Sequence, residues 1–566
     1  MKDRYIDLME KALSAYSNEH IQRYFEDVQT NGLTEHGFPR LTSNIGILIA
    51  HGRRNDLLPI FLEMMEFCCK TIPNVKAAND FSVREIVCCL LEIEQSGILS
   101  KTETDRWRGY LATIEPTRCY NKFAKTPTDN VRNWALFTTV SEYFRLDAGI
   151  GGSMDFIELQ LGQQLQWIDE NGMYRDNGNC DIHQPFVYDL VPRGLFAVLL
   201  NRGYRGKYYR EIDEHIKKAA LLMLRMQSPN GELPFGGRSN QFLHNEPWMV
   251  TVFEYEAKRY AREGNFALAA TFKAASARAL AVTEHWLSKN PIRHIKNRFP
   301  TETKYGCEGY AYFDKYMITV ASFLYAAYLI CDDSIAYEPT ADLEPQVAVP
   351  SQHFHMVFLK SGGYGLEFDL DADPRHDANG LGRIHLAGAP SAICLSCPCP
   401  ADPVYTVDLE PPFAFSLASA VHKPDGWHLG AEGTSRYELL ETGTDRQSAT
   451  ATLLCHFADA QAVKERYTVS ETGVTIRIES NGEIGYTLPA FLFDGEKQTE
   501  IVVEEHSLTV SYEDWSCRYT TSGRITDLQK IAANRNGHYR AFLAEGKDML
   551  DLRVEITKKP SAENQV

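Results

Sequence analysis

The hydrophobic period of this chain changes once, near Tyr337. Before that point apolar residues recur every three or four positions, as in Ile6, Met9 and Leu13, then Ile47 and Ile49, and Leu57 through Met65. Such spacing gathers them on one stripe of an α-helix. After it, apolar and polar residues alternate, as in 353–360 (HFHMVFLK), 364–372 (YGLEFDLDA), 449–457 (ATATLLCHF), 465–480, 500–512 and 549–559. Alternation is the mark of half-buried strands. A helix-period sequence does not settle as a strand, so the chain divides into two regions of different class.

In the first region helices break at 51–55 (HGRRN), 201–206 (NRGYRG) and 262–266 (REGNF) and restart at once. Glycine past a helix end supplies the left-handed cap. Helix–Gly–helix joints recurring along the region predict repeated hairpins, curled into a solenoid or closed as a toroid. The absence of a strict period argues against a tetratricopeptide-type array. In the second region, Thr468 to Ile476 (TVSETGVTI) reads as a hairpin with a polar, Gly-containing turn. Many short strands separated by turns predict an antiparallel β-sandwich. The expected fold is therefore α+β and multidomain: an N-terminal α/α toroid over 1–335, a linker rich in Pro, Glu and Ala over 336–350, a β-sandwich over 351–558 and a frayed tail over 559–566.

Length and charge narrow the function. The 566 residues are ample for two cores. A net charge of -17 argues against a nucleic-acid backbone as ligand, because that needs clustered Lys and Arg. It leaves room for an anionic sugar, since one Arg-lined pocket can oppose the global sign. The start, MKDRYIDLMEKALSAY, has no continuous apolar stretch of a secretory signal, and no run approaches the roughly 18 apolar residues that span a bilayer. The 13 Cys are scattered, many in helical apolar runs such as Cys68-Cys69 and Cys88-Cys89, as buried thiols are in a reducing compartment. Cys394-x-x-Cys397-x-Cys399 lacks a matching second cluster and reads as thiols rather than zinc. These features predict a cytoplasmic protein without nucleic-acid or membrane partners and leave an oligomer open.

Chemistry-bearing residues gather between 167 and 248, in two loops separated by a helix over about 210–227. Polar loops on a helical scaffold are where catalysis usually sits. The first loop, 181–193, holds Asp181, His183, Tyr188, Asp189 and Arg193. His183 carries protons near neutral pH, Tyr188 can do so if its pKa falls, and Arg193 can hold an anion. The bland alternative is a loop whose polar groups satisfy one another. The second loop, 236–248, offers Gly236-Gly237 for close backbone approach, then Arg238, His244, Asn245 and Glu246. Its bland alternative is a turn and a helix start, with Glu246 in the first turn. Asn133-Trp134 opens a helix; Asn can donate to a carboxylate and Trp can stack on a sugar, or the pair is a cap and a core residue. Tyr310, Tyr312 and Tyr316 precede the last long helix and either reach the cleft or fill the core. The segment 373–385 reads as a polar loop that closes over the cleft or caps the sandwich.

At these residues the chain resembles the toroid-plus-sandwich polysaccharide lyases of the hyaluronate, chondroitin-AC and xanthan lyase type. The resemblance covers the order of domains and a few motifs: Asn133-Trp134, then AsnGlyMetTyr (171–174) with His183 and Tyr188, then Gly237-Arg238-Ser239 with Asn245 and Glu246. Two features depart from it: the short spacing from His183 to Tyr188, and the lack of a signal in a group whose members are mostly exported. The resemblance implies that Asn133 neutralises a uronate carboxylate.

The expected function is thus a lyase that cleaves a uronate-containing oligo- or polysaccharide by β-elimination, with no cofactor or metal. Asn133 and Arg238 would neutralise the carboxylate, His183 or Tyr188 would take the C5 proton, and Tyr188 would protonate the leaving oxygen. Glu246 would orient Arg238 or His244, while Trp134, Arg193, His244, Asn245, Tyr310 and Tyr312 would bind sugar. The alternatives are a glycoside hydrolase, including the unsaturated uronyl type, using two of Asp181, Asp189 and Glu246, and a non-catalytic sugar-binding protein.

Overall fold

The structure, a computed structural model, describes residues 2–176, 183–338, 343–409, 412–458 and 461–559; counts and absences refer to those residues. Fourteen helices come first: α1 (Lys2–Leu13), α2 (Asn18–Asn31), α3 (Gly37–Ala50), α4 (Leu58–Thr71), α5 (Val83–Ser96), α6 (Lys101–Ala112), α7 (Pro116–Cys119), α8 (Trp134–Asp147), α9 (Met154–Leu165), α10 (Phe186–Asn201), α11 (Tyr209–Met226), α12 (Asn245–Arg262), α13 (Phe266–Leu287) and α14 (Phe313–Ile330). The joints fall where glycine allows them. Gly52, Gly203 and Gly264 follow α3, α10 and α12 with φ of 73°, 109° and 78°.

Contacts between helices run α3–α5–α8–α10–α12–α14 and return from α14 to α3, which closes an inner ring of six. A buried polar network locks the closure. Arg40 of α3 pairs with Glu85 of α5 at 2.8 Å and donates to Thr319 of α14 at 2.7 Å. Ser322 of α14 donates to Glu85 at 2.6 Å. In α10 every residue from Phe186 to Leu200 is buried except Tyr188, as befits a helix surrounded by others. Gly194 of α10 lets Trp248 of α12 pack against its backbone, where a Cβ would lie 2.3 Å from the indole. Trp248 also donates to the Val191 carbonyl at 3.1 Å. These contacts fix α10 to α12, the two helices that carry the loops of interest.

The β region holds two sheets. A four-stranded antiparallel sheet is built from β1 (Gln346–Ala348), β2 (Met356–Ser361), β3 (Tyr364–Asp369) and β4 (Gly380–Leu386) in that order. An eleven-stranded sheet is centred on two long antiparallel strands, Gly473–Phe493 and His538–Lys558. The 468–476 hairpin forms, with Gly473 opposite Ser470. Strand β2 shows the value of period two. Val357 and Leu359 pack into the sandwich core, while Met356 and Phe358 pack into the helical core. The smaller sheet is thereby wedged between the larger sheet and the toroid.

Three sequence expectations change. The first loop, expected over 181–193, is helix α10 from Phe186 onward, so Tyr188, Asp189 and Arg193 stand on a helix. The stretch 336–350 is not wholly a linker, because it contains β1. The segment 373–385 is a loop only as far as Asn379; β4 follows. Its strand character is hidden because Arg383 and His385 are polar yet buried, Arg383 being paired with Glu367 at 3.3 Å. Cys394, Cys397 and Cys399 are free and buried. Among the described residues no group of three or more His, Cys, Asp or Glu is arranged to hold a metal, and no helix is long and apolar enough to cross a membrane.

Candidate active site

The two loops meet against the sandwich. Gly236 and Gly237 adopt φ of 137° and 74°, and a Cβ on them would lie 2.9 Å from Phe186 and 3.0 Å from Pro185. Only glycine permits that approach together with that backbone. The second loop therefore rests directly on the start of α10, one turn from Tyr188.

The turn that follows gathers hydroxyls around a cation. The Tyr188 and Ser239 hydroxyls are 3.4 Å apart, and Ser239 also bonds the Tyr310 hydroxyl. Arg238 donates to Tyr310 at 3.2 Å and stacks over its ring at 4.5 Å. Burial opposes the Arg238 charge, yet Tyr188, Tyr310 and Glu308 outweigh it and hold the guanidinium above its ordinary value. Burial first, then the neighbouring Tyr188, pushes Tyr310 and Tyr316 upward, so both stay protonated. Asn245 supports the turn from beneath, donating to the Ser239 and Asn240 carbonyls at 3.0 Å each.

Asn133 connects to this cluster through Asp176, which lies within the field of Arg238, while His183 sits against the sandwich. Asn133 is buried at the start of α8, and its side-chain and backbone N–H groups both reach Asp176, at 2.5 and 3.1 Å. Burial raises the Asp176 pKa against the hydrogen bonds of Asn133 and the charges of Arg132 and Arg238. His183 faces Asp371 at 3.8 Å and His355 at 5.9 Å between ring centres. His183, Ser239 and His355 all have left-handed backbones, with φ of 57°, 67° and 52°.

Other candidates sit elsewhere. Arg193 does not reach the cleft: it is buried, donates to the Ala219 carbonyl at 2.8 Å and pairs with Asp189 one helical turn away. Asp189 is spent on Arg193 and on the Tyr174 N–H at 2.8 Å, and burial lifts its pKa to about 6. Glu246 orients neither Arg238 nor His244. It is buried, 2.7 Å from Lys296, and accepts from the Leu233 N–H at 3.2 Å. His244 is buried beside the stacked pair Phe242 and Tyr316, with burial pushing its pKa down to about 3, so it stays neutral. Trp134 is partly exposed, edge-on to Phe81 at 4.8 Å, and Tyr312 is exposed under Lys315. Asp181 lies outside the described residues.

Several members of the cluster escaped sequence reading. Asp176, Glu308, Asp371 and His355 are common residue types with no local pattern, and only the fold brings them in. Arg238-Ser239 as a pair was the one available signal for Ser239.

No protein-family model and no curated protein matches this chain. Solved structures do. A heparan sulfate lyase HepC mutant from Pedobacter heparinus is 9% identical over 92% of this chain and 77% of that one, with a TM-score of 0.48. The Heparinase III-BT4657 gene product is 10% identical over 93% and 79%, with a TM-score of 0.49. A chondroitin lyase, the baculovirus envelope protein ODV-E66, is 10% identical over 92% and 76%, with a TM-score of 0.44.

Proposed function

We propose that this protein is a lyase that cleaves uronate-containing oligosaccharides by β-elimination. The observation that carries the reading is the cluster Tyr188–Ser239–Tyr310 beneath Arg238, assembled where the two loops meet. Elimination requires the carboxylate beside C5 to be neutralised, the C5 proton to be removed, and the leaving oxygen to be protonated. Arg238 and Asn133 would serve the first need. Asn133 Nδ2 has a second N–H beyond the one given to Asp176, and Arg238 is the exposed cation of the turn. Tyr188 is the acid, its hydroxyl held in a chain through which a proton can be replaced from Ser239 and Tyr310. His183 is the base, with Asp371 beside it to stabilise the imidazolium that forms. The domain assignment follows the same lines: a catalytic toroid, and a sandwich that borders its site.

The hydrolase reading loses ground on one specific point. Asp189 and Glu246 are buried and paired with Arg193 and Lys296, so neither faces a sugar. A cytoplasmic setting and an anionic oligosaccharide remain part of the proposal. The test is to mix the protein with uronate oligosaccharides and follow both the ultraviolet absorbance of the new C4–C5 double bond and the release of reducing ends. Both signals rise if the reading holds. Reducing ends without absorbance would mean hydrolysis, and the partly exposed carboxylates Asp176 and Asp371 would then be the residues to mutate.

A further inference from the structure

Arg535 comes from the far end of the chain, in the turn between the strands Arg524–Ala533 and His538–Lys558. It is 2% exposed, with its guanidinium 4.4 Å over the Tyr405 ring. One arm pairs with Glu308 at 3.1 Å. The other donates to the Gly237 carbonyl at 3.3 Å and to His376 Nδ1 at 3.2 Å. Glu308 in turn accepts from the Ser239 N–H at 2.8 Å, and Asp377 of the sandwich accepts from the Gly237 N–H at 2.6 Å. Both backbone groups of Gly237 are therefore held by sandwich residues, and Ser239 is held by a carboxylate that Arg535 holds. Arg238 sits between these two anchored residues, and Ser239 carries the hydroxyl that meets Tyr188.

We infer that Arg535 is a positioning residue of the active site, through which the β-sandwich sets the Gly237–Ser239 turn and hence the placement of Arg238 and of the Tyr188 hydroxyl chain. An ordinary domain contact would need burial and charge pairing, but it would have no reason to converge on the two peptide groups that flank the site's exposed cation. The buried charge is matched on its own terms: Glu308 neutralises it, Tyr405 covers its face, and Gly237 and His376 take its N–H groups. A shift of about 1 Å in groups that position a reacting centre can cost on the order of 100-fold in rate. The role in catalysis rests on the lyase reading above, while the anchoring of the turn does not.

The experiment uses the full chain with Arg535→Lys, which keeps the charge but loses the two-armed geometry, and Arg535→Met with Glu308→Gln, which removes the ion pair as a unit. Hydrogen exchange is followed in peptides spanning 236–243, with peptides from α3 and α5 as controls, and kcat and KM are measured on a uronate oligosaccharide. The expected result is exchange about 10-fold faster or more in 236–243 with the controls unchanged. With it, kcat falls on the order of 10- to 100-fold while KM changes little. Unchanged exchange in 236–243 in a folded Arg535→Lys protein would overturn the inference, as would a KM effect with kcat preserved. If the unaltered protein eliminates no uronide, the lyase reading fails alone, and the exchange data still decide whether Arg535 anchors the turn.

Discussion

Glu246 separates the two ways of reading the second loop, and replacing it by Gln tests the separation. The carboxylate is fully buried in the first turn of α12 and 2.7 Å from Lys296, itself 6% exposed. Gln retains an acceptor for the Leu233 N–H, so the loss is confined to the charge. Removing one partner of a buried ion pair leaves the other uncompensated and costs about 3–5 kcal/mol. The lost attraction to the helix N-terminus adds roughly 0.3–1 kcal/mol. Urea unfolding followed by circular dichroism should therefore show the variant destabilised by about 3–6 kcal/mol. Turnover of the molecules that remain folded should stay near that of the unaltered protein. Lys296→Met should be similarly damaging, and the double replacement should cost clearly less than the sum, as expected for residues in direct contact. A variant of unchanged stability that lost at least ~100-fold in kcat, the size of an acid–base contribution, would refute this reasoning and return Glu246 to the chemistry.

Further outcomes follow from the same geometry. Tyr188→Phe and His183→Ala should each lower kcat at least ~100-fold with the circular dichroism spectrum intact, and near-normal rates in either would remove that residue from the mechanism. Gly237→Ala should impair both stability and turnover, because it adds about 1–3 kcal/mol of backbone strain and a Cβ 3.0 Å from Pro185; a thermal melt and a rate measurement check it. Burial lifts the Glu256 carboxyl from 4.5 to about 7. The folded state thus holds a proton that the unfolded chain has released, and stability falls as pH rises from 4.5 to about 7. Glu256→Gln should flatten that fall, worth about 3 kcal/mol, in urea titrations at pH values across the window, while Arg259 keeps Asp213 at 3.0 Å. An unchanged pH slope would show that Glu256 is ionised without penalty.

Much of the fold was legible because it rests on periodicity. The expected helix over about 210–227 is α11, and the glycine joints at 51–55, 201–206 and 262–266 end α3, α10 and α12. What periodicity conceals is the partner of a polar residue. Arg193 and Asp189 are four apart and satisfy each other across one helical turn, so their presence in a titratable loop meant less than it suggested. Glu246 finds Lys296 fifty positions on, and Gly237 is held by Arg535 almost three hundred positions away. Strand β4 was hidden for a related reason, since its buried residues include an arginine and a histidine. The second loop was legible up to α12, whereas the first was misread, since from Phe186 its polar residues stand on α10. Gly236-Gly237 was read as letting a ligand near the backbone, and it lets the loop rest on Pro185 and Phe186.

The central claim is chemical, and one assay addresses it most directly. The protein is incubated with a panel of uronate oligosaccharides, and double-bond absorbance and reducing ends are recorded from the same samples, with Tyr188→Phe alongside. β-Elimination predicts that the two signals rise together in equal molar amounts and that both are lost in the variant. Reducing ends appearing without absorbance would contradict the claim and assign hydrolysis instead.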